Sequence, residues 1–239
     1  MKKHTLFCIP YAGGSKNIFS PLKTHIIDTV TIKPLELPGH GTRFSEPLKK
    51  NIEDMADDIT NKIIEYGEKN FSILGYSLGA IILYETYFKL KNRGFSLPKN
   101  LIICSKEPIG YKKKFDDVNN MSNFTFKNFI RNIGGTPEEV LNNKELWELI
   151  APILKNDFIA LDNYENKQKN EQCKSSIYVF VGNSDNIDKN LIYKWSDIAY
   201  NRINYKFFEG SHFFLFDNYK NISNELNKII YLSKDDENE

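Results

Sequence analysis

The sequence predicts an α/β protein: a mostly parallel central sheet with helices on both faces and a helical lid inserted over one end. Two observations carry this. Short β-rich runs alternate with segments of helical periodicity along the chain, the pattern of a parallel sheet joined by crossover helices. One interval breaks that rhythm. About seventy residues separate the run ending at Ser105 from the one starting near Ile177, where a crossover needs only a dozen or so.

The strands are expected at 5–10, 30–37, 71–75, 101–105, 177–181 and 205–208, each a short β-rich run. The clearest helix is 51–66, whose Ile52, Met55, Ala56, Ile59, Ile63 and Ile64 fall on one stripe opposite Asp and Glu. A second is expected over 78–93, stopped by Gly94. Within the long interval, Thr136-Pro137-Glu138-Glu139 has the form of a capping box with Pro at the first helical position. Segments 144–154 and 157–163 also read as helical, with Leu146, Leu149, Ile150, Ile153 and Leu154 on one face. Phe124, Phe126 and Phe129 form an aromatic cluster ahead of them. The expectation is one domain over 1–239 with a lid at about 106–172, ending in a polar, acidic tail (233–239) that frays.

Bulk composition excludes several classes. The 239 residues are 41% hydrophobic and 26% charged, and 32 Lys and Arg against 31 Asp and Glu leave a formal charge of +1. Nothing here provides a nucleic-acid footprint or a basic membrane face. Three cysteines, Cys8, Cys104 and Cys173, are too few and too apolar in context for a disulfide framework. The apolar run before Pro10 is too short for a signal-peptide core or a membrane span. A cytoplasmic protein is expected.

The chemistry centres on Gly75-Tyr76-Ser77-Leu78-Gly79. The pattern is short, and its context gives it meaning: an apolar strand precedes it and a helix follows, which is the strand–turn–helix of a nucleophile elbow. Such a turn lifts Ser77 above the sheet and sets it at a helix N-terminus, where the dipole and the Leu78 amide favour a developing oxyanion.

A serine hydroxyl needs a base, and four histidines are available. His4 lies at the frayed N-terminus or the start of the first strand, and His25 in a helical stretch after Pro21. His40 sits in Pro38-Gly39-His40-Gly41, as a turn or pocket-rim residue. His212 follows the last strand in Glu209-Gly210-Ser211-His212-Phe213-Phe214, after both other members of the set in the order usual for α/β hydrolases. It is the expected base.

The orienting acid should follow a late strand. Asp185, in Gly182-Asn183-Ser184-Asp185, fits best. Asp188 looks more like the first turn of the next helix, and Asp157 in the lid is a third choice. The second oxyanion donor is expected from Pro10-Tyr11-Ala12-Gly13-Gly14-Ser15, as the Ala12 amide, because glycines allow close backbone approach. Tyr11, Tyr76 and Phe213 are candidates for the substrate pocket. No Cys/His spacing suits a metal, no phosphate-cradling loop is present, and no cofactor is expected.

Six stretches in order resemble one family: Pro10 to Ser15; Glu36-Leu37-Pro38-Gly39-His40-Gly41-Thr42-Arg43-Phe44; the elbow; Ile133-Gly134-Gly135-Thr136-Pro137; Ala151-Pro152-Ile153-Leu154-Lys155-Asn156-Asp157-Phe158; and Gly210-Ser211-His212-Phe213-Phe214-Leu215. Together they resemble the type II thioesterases that accompany non-ribosomal peptide and polyketide synthetases, over about residues 5 to 230. The resemblance implies an α/β-hydrolase fold and a stand-alone enzyme. It would hydrolyse acyl groups from the 4'-phosphopantetheine arm of acyl or peptidyl carrier domains, and so clear misprimed or stalled carriers. The family's triad carries onto Ser77, Asp185 and His212. The partner is then a carrier protein; composition argues for no nucleic acid or membrane partner, and a monomer is expected because nothing in the sequence demands more.

The chain departs from that pattern at Tyr76, where the family usually has His, and at Leu78, where Met is common. Its Gly-His-Gly stands where Arg is frequent, and Lys106-Glu107-Pro108 replaces a more basic run. The triad positions are untouched. A general carboxylesterase or lysophospholipase with the same three residues, or an inactive module that only binds acyl carriers, are the competing readings.

Overall fold

The computed structural model describes residues 3–110, 117–167 and 171–235. Six parallel strands form one sheet: β1 (His4–Ile9), β2 (Val30–Pro34), β3 (Phe71–Tyr76), β4 (Asn100–Cys104), β5 (Ser176–Gly182) and β6 (Asn204–Phe208), in the order β2-β1-β3-β4-β5-β6. All five pairings are parallel. The alternation of side chains across each strand divides the core into two layers. Phe7, Ile9, Ile73, Leu101, Ile103, Val179 and Val181 point to one face, under α1 (Ile52–Tyr66) and α2 (Leu78–Asn92). Leu6, Cys8, Leu74, Tyr76, Ile102, Cys104 and Phe180 point to the other. That face is covered by a 3₁₀ helix over Lys16–Thr24 and by α7 (Tyr219–Asp235). Both faces are therefore buried, which is why the central strands read as unbroken apolar runs.

Helix boundaries follow local chemistry. Asn51 caps α1 by accepting from the Asp54 amide, and Gly67 ends it at φ 67°. On the predicted stripe of α1, Ile64 alone is only partly buried. Gly94 lies just past α2 at φ 64°, as expected.

Between β4 and β5 lie α3 (Asn123–Ile133), α4 (Glu138–Asn142) and α5 (Lys144–Asn163). Here the sequence reading needs correction. Pro137 occupies the cap position of α4 and makes no side-chain cap bond, so the Thr136–Glu139 capping box does not form. The segments 144–154 and 157–163 are one helix, running through Pro152. Proline withholds a single donor there, and burial of Trp147, Leu154, Phe158 and Leu161 keeps the helix continuous. That buried face is rotated from the predicted one, leaving Leu146 and Leu149 exposed. Phe126 and Phe129 stack on each other, but Phe124 is 76% exposed and outside the cluster.

α6 (Lys189–Ile192) precedes β6, and Asp188 caps it by accepting from the Asn190 amide, as its sequence position suggested. His4 is not frayed. It is fully buried at the start of β1, its ring nitrogens against Asn70 and Ser72. His25 is the cap residue that ends the 3₁₀ helix. The tail expected to fray is helical to Asp235, and 236–239 lie outside the described residues, as do 111–116 and 168–170 of the lid interval. No helix among the described residues is long and apolar enough to cross a membrane.

Candidate active site

The site is assembled where strands end, and two glycines make the central turn possible. A Cβ on Gly75 would run into the backbone of Gly79 and Ala80. One on Gly79 would run into the carbonyls of Ile9 and Pro10. The turn from β3 into α2 is thus closed too tightly for any side chain, and α2 lies directly against the end of β1. Ser77, at the crest, is held at φ 52°, a left-handed conformation costly for a non-glycine residue. It is fixed from behind by its amide, which donates to the Cys104 carbonyl at 2.8 Å.

The residues expected as base and acid arrive on neighbouring loops. His212 follows β6 and Asp185 follows β5. Their loops are stitched by hydrogen bonds from the Asn183 amide to the Phe208 carbonyl (2.7 Å) and from the Ser184 amide to the Gly210 carbonyl (2.9 Å). Gly182 allows this, since a Cβ there would strike the carbonyls of Gly210 and Ser211. The result is one hydrogen-bonded chain. His212 Nε2 lies 3.1 Å from Ser77 Oγ, and Nδ1 lies 3.2 and 3.3 Å from the two Asp185 oxygens. The Asp185 side chain is almost fully buried and that of His212 partly exposed. With Asp185 fixing the tautomer, Nε2 is free to accept the serine proton, an arrangement suited to nucleophilic acyl transfer.

A cavity of about 330 Å³ opens above Ser77. Tyr11, Ala12 and Phe213 form one wall, and Phe129, Ile133, Leu154, Phe158 and Leu161 of α3 and α5 form the roof. Lys106 and Glu107 line it too, as an ion pair 2.6 Å apart. Burial would raise the Glu107 pKa, but the charge and hydrogen bond of Lys106 outweigh it and leave the carboxyl below its ordinary range. Burial pushes the Tyr11 phenol up to about 12, with a further contribution from Tyr219. Phe213 also meets the lid, because its ring occupies the space a Cβ on Gly135 would need.

Of the predicted pocket residues, Tyr11 and Phe213 line the cavity and Tyr76 does not. Tyr76 is 1% exposed and points beneath the elbow, where its hydroxyl donates to the His212 carbonyl at 2.6 Å. Ser105 Oγ donates to the same carbonyl at 2.8 Å. These two donors were missed from sequence. The available signal for Ser105 was its place one residue past β4, at the same sheet edge as Ser77; it has φ 45°. His40 and Asp157, weighed as alternative base and acid, are elsewhere. His40 is 2% exposed, does not border the cavity, and pairs with Asp157 at 2.8 Å. No cluster of metal-ligating side chains occurs among the described residues.

Residues 4–230 match the thioesterase domain family. The chain belongs to that family. This thioesterase-family chain is 26% identical over 216 residues to the gramicidin S biosynthesis protein GrsT of Aneurinibacillus migulanus, spanning 90% of the chain and 84% of that protein. It is 27% identical over 236 residues to the human medium-chain S-acyl fatty acid synthase thioesterase, at 95% and 88% coverage. Among solved structures, ClbQ from the colibactin NRPS/PKS pathway superposes with a TM-score of 0.92 at 26% identity, over 97% of this chain and 98% of that one. Human thioesterase 2 superposes at 0.71 with 19% identity, over 97% of each chain. The fold is that of the α/β-hydrolase thioesterases.

Proposed function

We propose that this thioesterase is of type II. It would release acyl groups from the phosphopantetheine thiol of carrier domains and so edit misprimed or stalled peptide or polyketide synthetases. The observation that carries the reading is the Ser77–His212–Asp185 chain at the floor of a lid-roofed cavity. It occurs in a chain of thioesterase type similar over nearly its full length to GrsT and ClbQ.

In this reading Ser77 Oγ attacks the thioester carbonyl while His212 Nε2 takes its proton. The carbonyl oxygen becomes an oxyanion held by the Ala12 and Leu78 amides. The tetrahedral adduct collapses, the C–S bond breaks, and His212 protonates the departing thiolate. Water, deprotonated by His212, then attacks the acyl-serine. A second tetrahedral adduct collapses to free acid, and the proton returns to Ser77. No cofactor enters. The apolar roof receives the acyl chain, and the cavity mouth admits the pantetheine arm of a carrier protein. The three cysteines are free and buried, which supports a reducing, cytoplasmic setting. We take the working form to be a monomer.

The test is a side-by-side assay with an acyl-carrier thioester and a simple aryl ester. Turnover of the carrier thioester, abolished in Ser77→Ala, is expected. Robust ester cleavage with no thioester release would overturn the reading in favour of a general esterase. Failure of Ser77 to label with a fluorophosphonate would leave only an acyl-carrier-binding module.

A further inference from the structure

The residues that failed as base and acid make a second buried polar centre. Asp157, on α5, is 0% exposed, and its Oδ2 accepts two hydrogen bonds of 2.8 Å each. One comes from His40 Nε2, the other from the backbone amide of Gly13. His40 is itself held through Nδ1 against the Pro38 carbonyl at 3.0 Å. Three segments far apart in sequence are thus joined: the loop after β1, the loop after β2, and the lid helix.

The loop after β1 carries the Ala12 amide. It turns tightly, with the Gly14 amide donating to the Tyr11 carbonyl at 2.9 Å. That bond holds the Tyr11–Ala12 peptide plane, whose N–H is the amide in question. Gly13, the third residue of the turn, has φ 70°, as a type II turn requires there. The Ala12–Gly13 plane is the one that flips easily in such a turn, and its N–H is the group Asp157 holds. Packing repeats the constraint, since Leu154 of α5 fills the space beside Gly13 where a Cβ would go. Three residues on, the Lys16 amide donates to Glu36, also buried, at 2.8 Å. Two carboxylates therefore grip this loop from opposite ends.

We propose that Asp157 is a positioning residue for the oxyanion hole: it clamps Gly13 to α5, so that the seating of the lid helix fixes the Ala12 amide. His40 supports it. Burial alone would lower the His40 pKa, but the hydrogen bond and charge of Asp157, the Pro38 carbonyl and the charge of Glu36 outweigh burial and leave it above its ordinary value. The carboxylate thus has a partner that keeps it aimed at Gly13. The proposal rests on the acyl-transfer reading but not on the acyl donor, because every acyl substrate passes through the same oxyanion.

The test is Asp157→Asn, which keeps size and shape. With the amide oxygen toward Gly13, it meets Gly13 and His40 without the carboxylate charge that strengthens both bonds. With the amide nitrogen there, two donors face each other. Steady-state kinetics on an aryl ester and on an acyl-carrier thioester, normalised to sites counted by fluorophosphonate labelling, should show kcat per site reduced about 10-fold or more on each substrate the wild type turns over, with KM within about 2-fold, because removal of a direct oxyanion donor costs 10²–10³. Inhibition by a trifluoromethyl ketone, which forms the oxyanion adduct, should weaken in parallel, while binding of a thioether analogue should not. Gly13→Ala, which pushes the loop off Leu154, should give the same signature and stands in should Asp157→Asn fail to fold. Wild-type kcat per site in the variant that folds overturns the proposal, as does a loss confined to KM or to the labelled fraction. Absence of carrier-thioester turnover in the wild type would instead strike the function reading, and the ester data would still decide on Asp157.

Discussion

Replacing Tyr76 with Phe removes one hydroxyl from beneath the elbow. The ring is 1% exposed and packed edge-on to Tyr11 and tilted against Phe214, so Phe keeps the packing. What disappears is the donor to the His212 carbonyl. Ser105 still donates to the same carbonyl, so that acceptor is not orphaned. Loss of this buried hydroxyl and its one hydrogen bond should then cost about 0.5–1.5 kcal/mol of stability, read as a lowered urea midpoint at constant m. The catalytic effect comes through the base: with one tether gone, His212 samples positions off Ser77, and kcat should fall about 3- to 10-fold, or roughly 0.6–1.4 kcal/mol. Ser105→Ala alone should do less, and the double variant more than the sum, because only then is the carbonyl unpaired. Tyr76→Phe with wild-type kcat and an unchanged midpoint would refute the idea that this carbonyl positions the base.

Other outcomes follow from the same geometry. Gly79→Ala drives a Cβ into the Ile9 and Pro10 carbonyls, which are backbone and cannot swing aside; destabilisation of about 1–3 kcal/mol by urea unfolding, with sharply reduced kcat, is expected. For His40, the folded pKa is raised above the ordinary 6.5. Its stabilisation is therefore complete below pH 6.5 and lost as pH rises through the raised folded value, so the melting-temperature gap between wild type and His40→Gln should narrow as pH increases above 6.5. Burial pushes all three thiols up, Cys173 to about 12. The folded protein should resist a thiol reagent at pH 8 and react fully in denaturant.

Much of this was legible because its signals are local. A parallel strand buried on both faces must be apolar almost throughout, so the inner strands β1, β3, β4 and β5 appear as short runs. The stripe of α1 is visible because Asp and Glu occupy its opposite side. The elbow, Asp185 and His212 could be found because each follows a strand, in an order that topology constrains. The lid misled where its neighbours are not adjacent in sequence. The choice between Leu149 and Trp147 as the buried side of α5 is made by Phe126 on α3, which packs on Trp147. Periodicity sees both as apolar. The sequence reading left a gap at Lys155-Asn156, yet burial of Leu154, Phe158 and Leu161 on either side carries the helix through. Tyr76 was misassigned to the pocket because adjacency to Ser77 in sequence does not fix direction: Tyr76 packs in one core layer and Leu78 in the other. His40 and Asp157 were each weighed for the chemistry separately, and neither sequence context says that they belong to each other.

The contacts that shape the site are made where side chains are missing. β1 and β3 are neighbours in the sheet, so the loop after β1 and the elbow after β3 emerge together. They can touch only because Gly79 leaves its Cβ space to the Ile9 and Pro10 carbonyls. The loops that carry Asp185 and His212 leave β5 and β6, also neighbours, and touch through Gly182. The loop after β6 meets the lid where Phe213 fills the space at Gly135, and the loop after β1 meets it where Leu154 fills the space at Gly13. Each contact fixes one distance in the site to within the width of a methyl group, and none is a strong interaction in itself. A methyl added at any of these four glycines should therefore disturb catalysis more than its stability cost implies. The cost is spread over the packing, while the displacement is concentrated at the reacting atoms, where about 1 Å can cost 10²-fold in rate.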